Sequence, residues 1–397
     1  MKVILVLTVL MMAVAAVAED ALVFRPAHWV AGEDLEPTYH AFDFYALAFT
    51  SPDDGWLVGE KYVLRIQGER LEVAFVSLSD GLRTVSFSSP ALGWIGGNGA
   101  PNGRFPLLRH GPGGWRRDQI RGMTWPLWGV SEIFAGPLGD AWGTASVSDT
   151  SDRSEAWKRS RRVMLRYDGA TWTVDDSLLT GHQTVTIHDA CQTPAGTWWF
   201  VGVDRPTQSS MNAFLAFWDG STLIRDARSS SEVERSTLDR VRCAADGSVW
   251  ALGELRPRPG VPREALLLRR VTDWQRVSVP LDLPGEPSTS ALAAIDANEA
   301  WISANCNYLE LPCRERFFHL RNGIWETVEL PFLPGGRSTH RFIVDVQFVS
   351  PNEGWAIASD SKPRDGGRIY HYRDGVWRNR NWNWHFWDAP GFGLFGY

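Results

Sequence analysis

Along residues 47–59 the chain reads LAFTSPDDGWLVG: apolar and polar positions alternate, a Pro/Asp/Gly cluster breaks the run, and Trp opens a second apolar run. Period-two alternation marks a strand with one buried face, and turn residues between two such runs mark a hairpin. The grammar recurs as VSFSSPALGWIGG (85–97), IFAGPLGDAWGTA (133–145), ACQTPAGTWWFVG (190–202), VRCAADGSVWALG (241–253), LAAIDANEAWISA (292–304) and VQFVSPNEGWAIA (346–358). Its aligned tryptophans are Trp56, Trp94, Trp142, Trp198, Trp250, Trp301 and Trp355, spaced by 38 to 56 residues. A second hairpin alternates with the first, as in YVLRIQGERLEVA (62–74), MLRYDGATWTVD (164–175), HLRNGIWETVEL (319–330) and HYRDGVWRNRN (371–381). Asp-Gly and Asn-Gly between alternating runs suit the tight turns of hairpins, which need positive φ.

Two hairpins per period make a four-stranded unit that cannot bury both faces alone. Stacking copies radially solves this, so the fold class is all-β, a β-propeller. LVFRPAHWVAGE (22–33) matches the second hairpin without a preceding partner, and HFWDAPGFGLFGY (385–397) resembles the first without a following one. Joining the two predicts an eighth blade closed by both termini, with seven blades as the alternative. Residues 1–18 read as a signal peptide and 19–397 as one propeller domain.

The signal reading rests on Lys2, an apolar run from Val3, and small residues Ala16 and Ala18 before Glu19. The run, 16 residues long, falls short of the roughly 20 that span a bilayer. The mature chain is therefore expected in the periplasm or secreted. A net charge of −6 provides no global basic field for nucleic acid. Four cysteines fit an oxidising compartment, and Cys306 and Cys313, flanking NYLELP, are expected to staple one loop. Neither zinc spacing nor a cofactor motif occurs, so no metal or cofactor is expected.

The S-P-x-x-G-W units, followed by hairpins such as YDGATW, resemble BNR/Asp-box-like propellers, especially those of the photosystem II assembly-factor type. That resemblance implies a non-enzymatic, extracytoplasmic assembly or binding scaffold. It departs in blade number, since the assembly-factor type has seven. Sialidases carry a related box, but Ser51 and Trp56 stand five apart here rather than seven. A sialidase would also need three arginines on a substrate carboxylate, a Tyr/Glu nucleophile pair and an acidic donor. Arg25, Arg65, Arg109, Arg166, Arg269, Arg321 and Arg373 recur at one repeat position, which reads as structural.

Function is expected in the long connections, 146–162, 203–212, 254–264, 305–316 and 359–368, which all emerge on one face. Their basic residues, including Lys158, Arg159, Arg161, Arg162, Arg256, Arg258, Arg314, Arg316 and Arg364, suit an anionic partner. The inner strand supplies a second set. Positions ten and eight before each Trp, among them Thr84/Ser86, His188/Ala190, Arg240/Arg242 and Asp345/Gln347, alternate with packing positions, so His188, Arg240, Arg242 and Asp345 are expected to line the central channel. Cys191 and Cys243 align with Phe49 and Phe87 and read as small buried residues. The expected function is a non-catalytic scaffold for a protein partner, with an anionic ligand or glycan as further ligands and membrane contact only through a partner. The alternative is a sialidase-like glycan-binding or glycan-hydrolysing propeller.

Overall fold

The computed structural model describes residues 44–59, 62–68, 70–76, 81–98, 107–123, 127–148, 160–175, 179, 184–207, 210–226, 235–256, 263–280, 287–306, 316–331, 341–360 and 367–380. Five sheets have four strands each, and a nine-stranded sheet holds two more four-stranded units plus the short strand Ile120–Arg121. Each unit is a meander, its strands pairing in chain order. The seven innermost strands are Phe44–Ser51, Gly81–Ser89, Leu127–Ala135, Val185–Gln192, Ser236–Cys243, Pro287–Asp296 and Arg341–Ser350. Each belongs to one blade, numbered 1 to 7 in that order.

Neighbouring blades pack face to face through apolar clusters, and blade 7 packs on blade 1 in the same way. Trp355 and Ile357 of blade 7 share a cluster with Phe44, Leu47 and Phe49 of blade 1. The Phe49 amide donates to Gln347 Oε1 at 2.7 Å. The described blades therefore close as a ring of seven. This contact leaves no opening between blades 7 and 1 for the expected eighth blade, and the count follows the seven-blade alternative. The terminal segments assigned to that blade, and the signal segment, lie outside the described residues.

The repeated letters now have physical reasons. In the ladder, Phe49 faces Gly55, Phe87 faces Gly93 and Phe348 faces Gly354. The phenyl ring lies directly on the glycine: an added Cβ would stand 2.2 Å from Phe49, 2.4 Å from Phe87 or 2.8 Å from Phe348. Each ring then stacks on the Trp of the preceding blade, at 4.8 Å for Phe49 on Trp355, 6.0 Å for Phe87 on Trp56 and 5.5 Å for Phe348 on Trp301. Blades with a small residue at the Phe position need no glycine, and there the pairs are Ala135 with Ala141, Cys243 with Val249 and Ala294 with Ala300. The acid of the turn has its own role. Asp54 pairs with Arg65 at 2.9 Å, Glu299 with His319 at 2.9 Å and Glu353 with His371 at 2.9 Å. Each of these cationic or imidazole groups covers the Trp opposite it, with Arg65 5.0 Å from the Trp56 ring and His371 stacked 3.9 Å from that of Trp355.

All seven tryptophans aligned from sequence are buried. The ladder shifts one of them. Trp56 faces Ala48 and Trp250 faces Arg242, eight residues back, and in blade 4 the residue at that offset is Trp199, facing Cys191. Trp198 is the neighbouring core residue, and its Nε1 donates to Asp140 Oδ2 at 2.8 Å. The tandem Trp198-Trp199 made the two positions indistinguishable by pattern. The arginine series also changes: His319 and His371, rather than Arg321 and Arg373, face Trp301 and Trp355.

The shift resolves the cysteines. Cys191 stands one position before the register assumed for it, so it looks forward to blade 5, while Cys243 looks back to blade 4. They form a disulfide with Cα atoms 5.6 Å apart, correcting the reading of two unlinked buried thiols. Such a bond between two inner strands accords with an oxidising compartment. The expected Cys306–Cys313 staple falls outside the described side chains.

Candidate functional site: the central channel

An inner strand is the free edge of its sheet, and half of its amides point away from the partner strand. Those amides need acceptors. The preceding blade supplies many of them from two positions, ten and eight residues before its Trp. Thr84 Oγ1 accepts from the Ile133 amide at 3.3 Å and Ser86 Oγ from Ala135 at 3.0 Å. Asp189 Oδ2 accepts from Val241 at 2.9 Å, and Asp345 Oδ2 from Leu47 at 3.4 Å. Every inner strand carries a β-bulge immediately before or around these positions. A bulge adds a residue on one strand and re-aims the side chains beside it. Here it turns polar groups of successive blades towards the axis.

The result is a cavity of about 590 Å³ lined by six of the seven inner strands, from Tyr45 and Arg83 to Pro137, Pro194 and Ala245. The four channel residues anticipated from sequence, His188, Arg240, Arg242 and Asp345, all line it. Asp189 and Glu132 join them, and sequence reasoning missed both. Asp189 was displaced by the one-residue slip at Trp198. Glu132 stood at the right offset from Trp142, in line with Thr84 of blade 2, and was overlooked.

The charges divide into two kinds. Arg242 is committed: its Nη1 bonds Asp189 Oδ2 and its Nη2 lies 3.5 Å from Asp345 Oδ1. His188 Nδ1 lies 2.9 Å from Asp239 Oδ1. Burial pushes the Asp239 carboxyl up, but the bond and charge of His188, with Thr237, more than offset this and hold it below its usual value. Asp345 is raised, chiefly by burial, against the opposing charges of Arg242 and Arg240.

Glu132 and Arg240 are different. Both occupy the position ten before the Trp, where Thr84, Asp189 and Asp345 accept from the next blade. Glu132 has no such task, because the Ala190 amide is taken by Asp189 Oδ1 at 2.9 Å. Among the described residues it accepts no hydrogen bond. Burial lifts its carboxyl to about 7, with Arg240 and Arg242 pulling down and Asp189 and Asp345 pushing up. Arg240 is a donor where an acceptor is wanted. Among the described residues its one hydrogen bond goes to the Asp239 carbonyl at 3.1 Å, and no carboxylate lies within ion-pair distance.

Three arginines line the cavity, as a sialidase would require, but Arg242 is locked by two aspartates and Arg83 lies over the Tyr45 ring at 4.2 Å. On the loop face, Arg161 and Arg162 are exposed. Arg256 is paired with buried Glu254 at 3.0 Å, and Arg316 with Glu329 at 3.8 Å. Lys158, Arg159, Arg258, Arg314 and Arg364 lie outside the described residues.

No protein-family model and no curated protein matches the chain. Solved structures do. A puromycin-hydrolysing peptidase of Mycobacterium tuberculosis is similar at 11% identity and a TM-score of 0.58, over 94% of this chain and 58% of that one. The tricorn protease is similar at 10% identity and a TM-score of 0.51, over 89% of this chain and 36% of that one. A protein of unknown function from Dyadobacter fermentans aligns at 13% identity and a TM-score of 0.44, over 88% and 97%. The chain thus spans only part of the two enzymes it resembles, and identities this low establish a likeness of fold alone.

Proposed function

We propose that the chain is an extracytoplasmic, non-catalytic binding propeller that receives a carboxylate of a protein partner in its central channel. One observation carries this reading: among the charged inner-strand side chains that the structure describes lining the cavity, Glu132 and Arg240 alone serve no amide of the next blade and join no ion pair or ring contact. Arg240 offers a guanidinium fork that matches a carboxylate. Protonated Glu132 adds a hydrogen-bond donor. The immobilisation of Arg242 by Asp189 and Asp345 supports binding over a sialidase-like reaction, which would need that arginine free. The assembly-scaffold role implied by the repeat resemblance fits the same picture, with the partner approaching from the loop face.

The pH dependence follows from Glu132. A bound anion disfavours its ionised form, so binding is coupled to proton uptake, and affinity falls as pH rises through about 7. The test is a fluorescence-polarisation screen of peptides with free C-termini against the purified chain. Hits should lose at least about tenfold in affinity on C-terminal amidation and in Arg240→Ala, and should bind more tightly at about pH 6 than at about pH 8. Hits indifferent to Arg240→Ala would reject the channel as the site. Isolation from the native extracytoplasmic fraction as a free monomer with glycosidase activity would reject the scaffold.

A further inference from the structure

The seam between blades 4 and 5 is closed twice. Asp189 Oδ2 of blade 4 accepts from the Val241 amide of blade 5 at 2.9 Å and pairs with Arg242 of the same strand. Two residues further along each strand, the Cys191–Cys243 disulfide joins the same two blades. At the matching step of other seams a hydrogen bond suffices: Ser86 Oγ accepts from Ala135 at 3.0 Å and Gln347 Oε1 from Phe49 at 2.7 Å. No other seam is crossed by a disulfide among the described residues. Blades thus close without a covalent link, and this seam has hydrogen bonds to hold it if the S–S bond opens. A freed Cys191 would stand where Ser86 stands, its sulfur a weak acceptor in place of the hydroxyl.

The bond also faces a way in. Both cysteines line the central cavity and both are half-buried, resting on the apolar cluster of Val201, Val241 and Leu268. Access of this kind is what attack by a thiolate requires. Three residues before Cys243, about 10 Å along the same strand, stands Arg240, a cation that faces the same cavity and joins no ion pair among the described residues. A molecule with a carboxylate a few bonds from a thiol can set the first on Arg240 and the second against the disulfide.

We infer that the Cys191–Cys243 disulfide is a site of reversible modification by a small thiol bearing a carboxylate, which Arg240 draws in; this rests on the carboxylate-receiving channel proposed above. The thiolate attacks one cysteine sulfur and forms a new S–S bond to it. The electron pair of the old bond leaves on the other cysteine, which takes a proton from water. The products are one mixed disulfide and one free thiol, with no net oxidation, and return attack by that thiol restores the original bond.

The test exposes the oxidised full chain to mercaptopropionate or to mercaptopropionamide, the same thiol without the charge. Each rate is divided by that thiol's rate on hydroxyethyl disulfide, and mass spectrometry of the chain and its peptides locates the adduct. The acid should add to Cys191 or Cys243 at least about tenfold faster than the amide. Its rate should rise with thiol concentration while the tryptophan emission stays native. Raising salt from about 0.05 to about 0.5 M should remove most of the preference, and so should Arg240→Ala. The salt arm uses the native chain, so a misfolded Arg240→Ala does not shelter the inference. Equal normalised rates, a preference that survives salt, or a rate that levels off at the chain's own unfolding rate would overturn it. Peptide binding that still depends on Arg240 in that event would leave the channel reading standing and sink this inference alone.

Discussion

Replacing Gly55 by Ala places a methyl carbon 2.2 Å from the Phe49 ring. The ring cannot retreat, because it is stacked at 4.8 Å on Trp355, which His371 covers on its other side at 3.9 Å. Overpacking of this kind costs about 1–3 kcal/mol. Phe49→Ala removes a buried ring and should cost about 3–5 kcal/mol. Independent effects would sum to about 4–8 kcal/mol in the double variant. They are not independent here: truncating Phe49 removes what Gly55→Ala collides with, and the pair becomes the Ala135–Ala141 pair of blade 3. The double variant should therefore be no less stable than Phe49→Ala alone, a coupling of about 1–3 kcal/mol. Urea unfolding followed by tryptophan fluorescence measures this as a shift in midpoint at constant slope. Strictly additive losses would refute the placement of Phe49 on Gly55. The companion cycle of Phe49→Ala with Trp355→Ala should show a further coupling of about 0.5–1.5 kcal/mol. No coupling there would mean that blades 1 and 7 do not touch, and would reopen the gap for an eighth blade.

Removing the disulfide by Cys191→Ser with Cys243→Ser releases a chain separation of 52 residues and should lower stability by about 4 kcal/mol, seen as a lower urea midpoint that reductant reproduces in the native chain. An unchanged midpoint under reductant would refute it. Glu132 titrates at about 7 when folded against 4.5 as the unperturbed value, so the unfolded chain loses this proton first as pH rises. Its effect is absent below about pH 4.5, grows between there and about 7, and then persists as a destabilisation of about 3 kcal/mol. Glu132→Gln should accordingly match the native chain near pH 4 and exceed it by up to about 3 kcal/mol near pH 8, measured by urea melts across pH. Parallel pH profiles would sink this claim.

The blades were legible because their two hairpins carry period-two alternation and turn residues at fixed offsets, and because each Trp at a second strand is core. The count of blades was less so. LVFRPAHWVAGE and HFWDAPGFGLFGY match the repeat locally, but contacts across the ring, among them Phe49 on Trp355 and the Phe49 amide to Gln347, reveal which blades adjoin. A contact between the first and last inner strands leaves no trace in local pattern. The tandem Trp198-Trp199 concealed the register of blade 4 for a different reason: both residues are buried, so hydrophobicity could not choose between them. That single slip hid Asp189 and turned a forward-facing cysteine into a backward-facing one. His319 and His371 were overlooked because Arg321 and Arg373 sit two residues on, beside the same strand turns.

The channel illustrates how a binding site can grow out of a structural requirement. Every inner edge strand needs acceptors for its free amides, and a forward-facing Thr, Ser, Asp or Gln from the preceding blade supplies them, as Gln347 does for Phe49. The bulge that aims those side chains is repeated in all seven blades, so any residue placed there points inwards whether or not it has an amide to serve. Substituting a donor such as Arg240 for the acceptor, or saturating the amide from elsewhere as Asp189 does for Ala190, releases a charged group into the cavity without disturbing the ladder. Blade 6 marks the other limit: Ala291 and Ala293 fill its two positions, and the Val346 amide of blade 7 is served within its own blade by Asp345 Oδ1 at 2.9 Å. The polar character of each position is thus set by where its neighbour's amide is satisfied, and function has room only where that demand is already met.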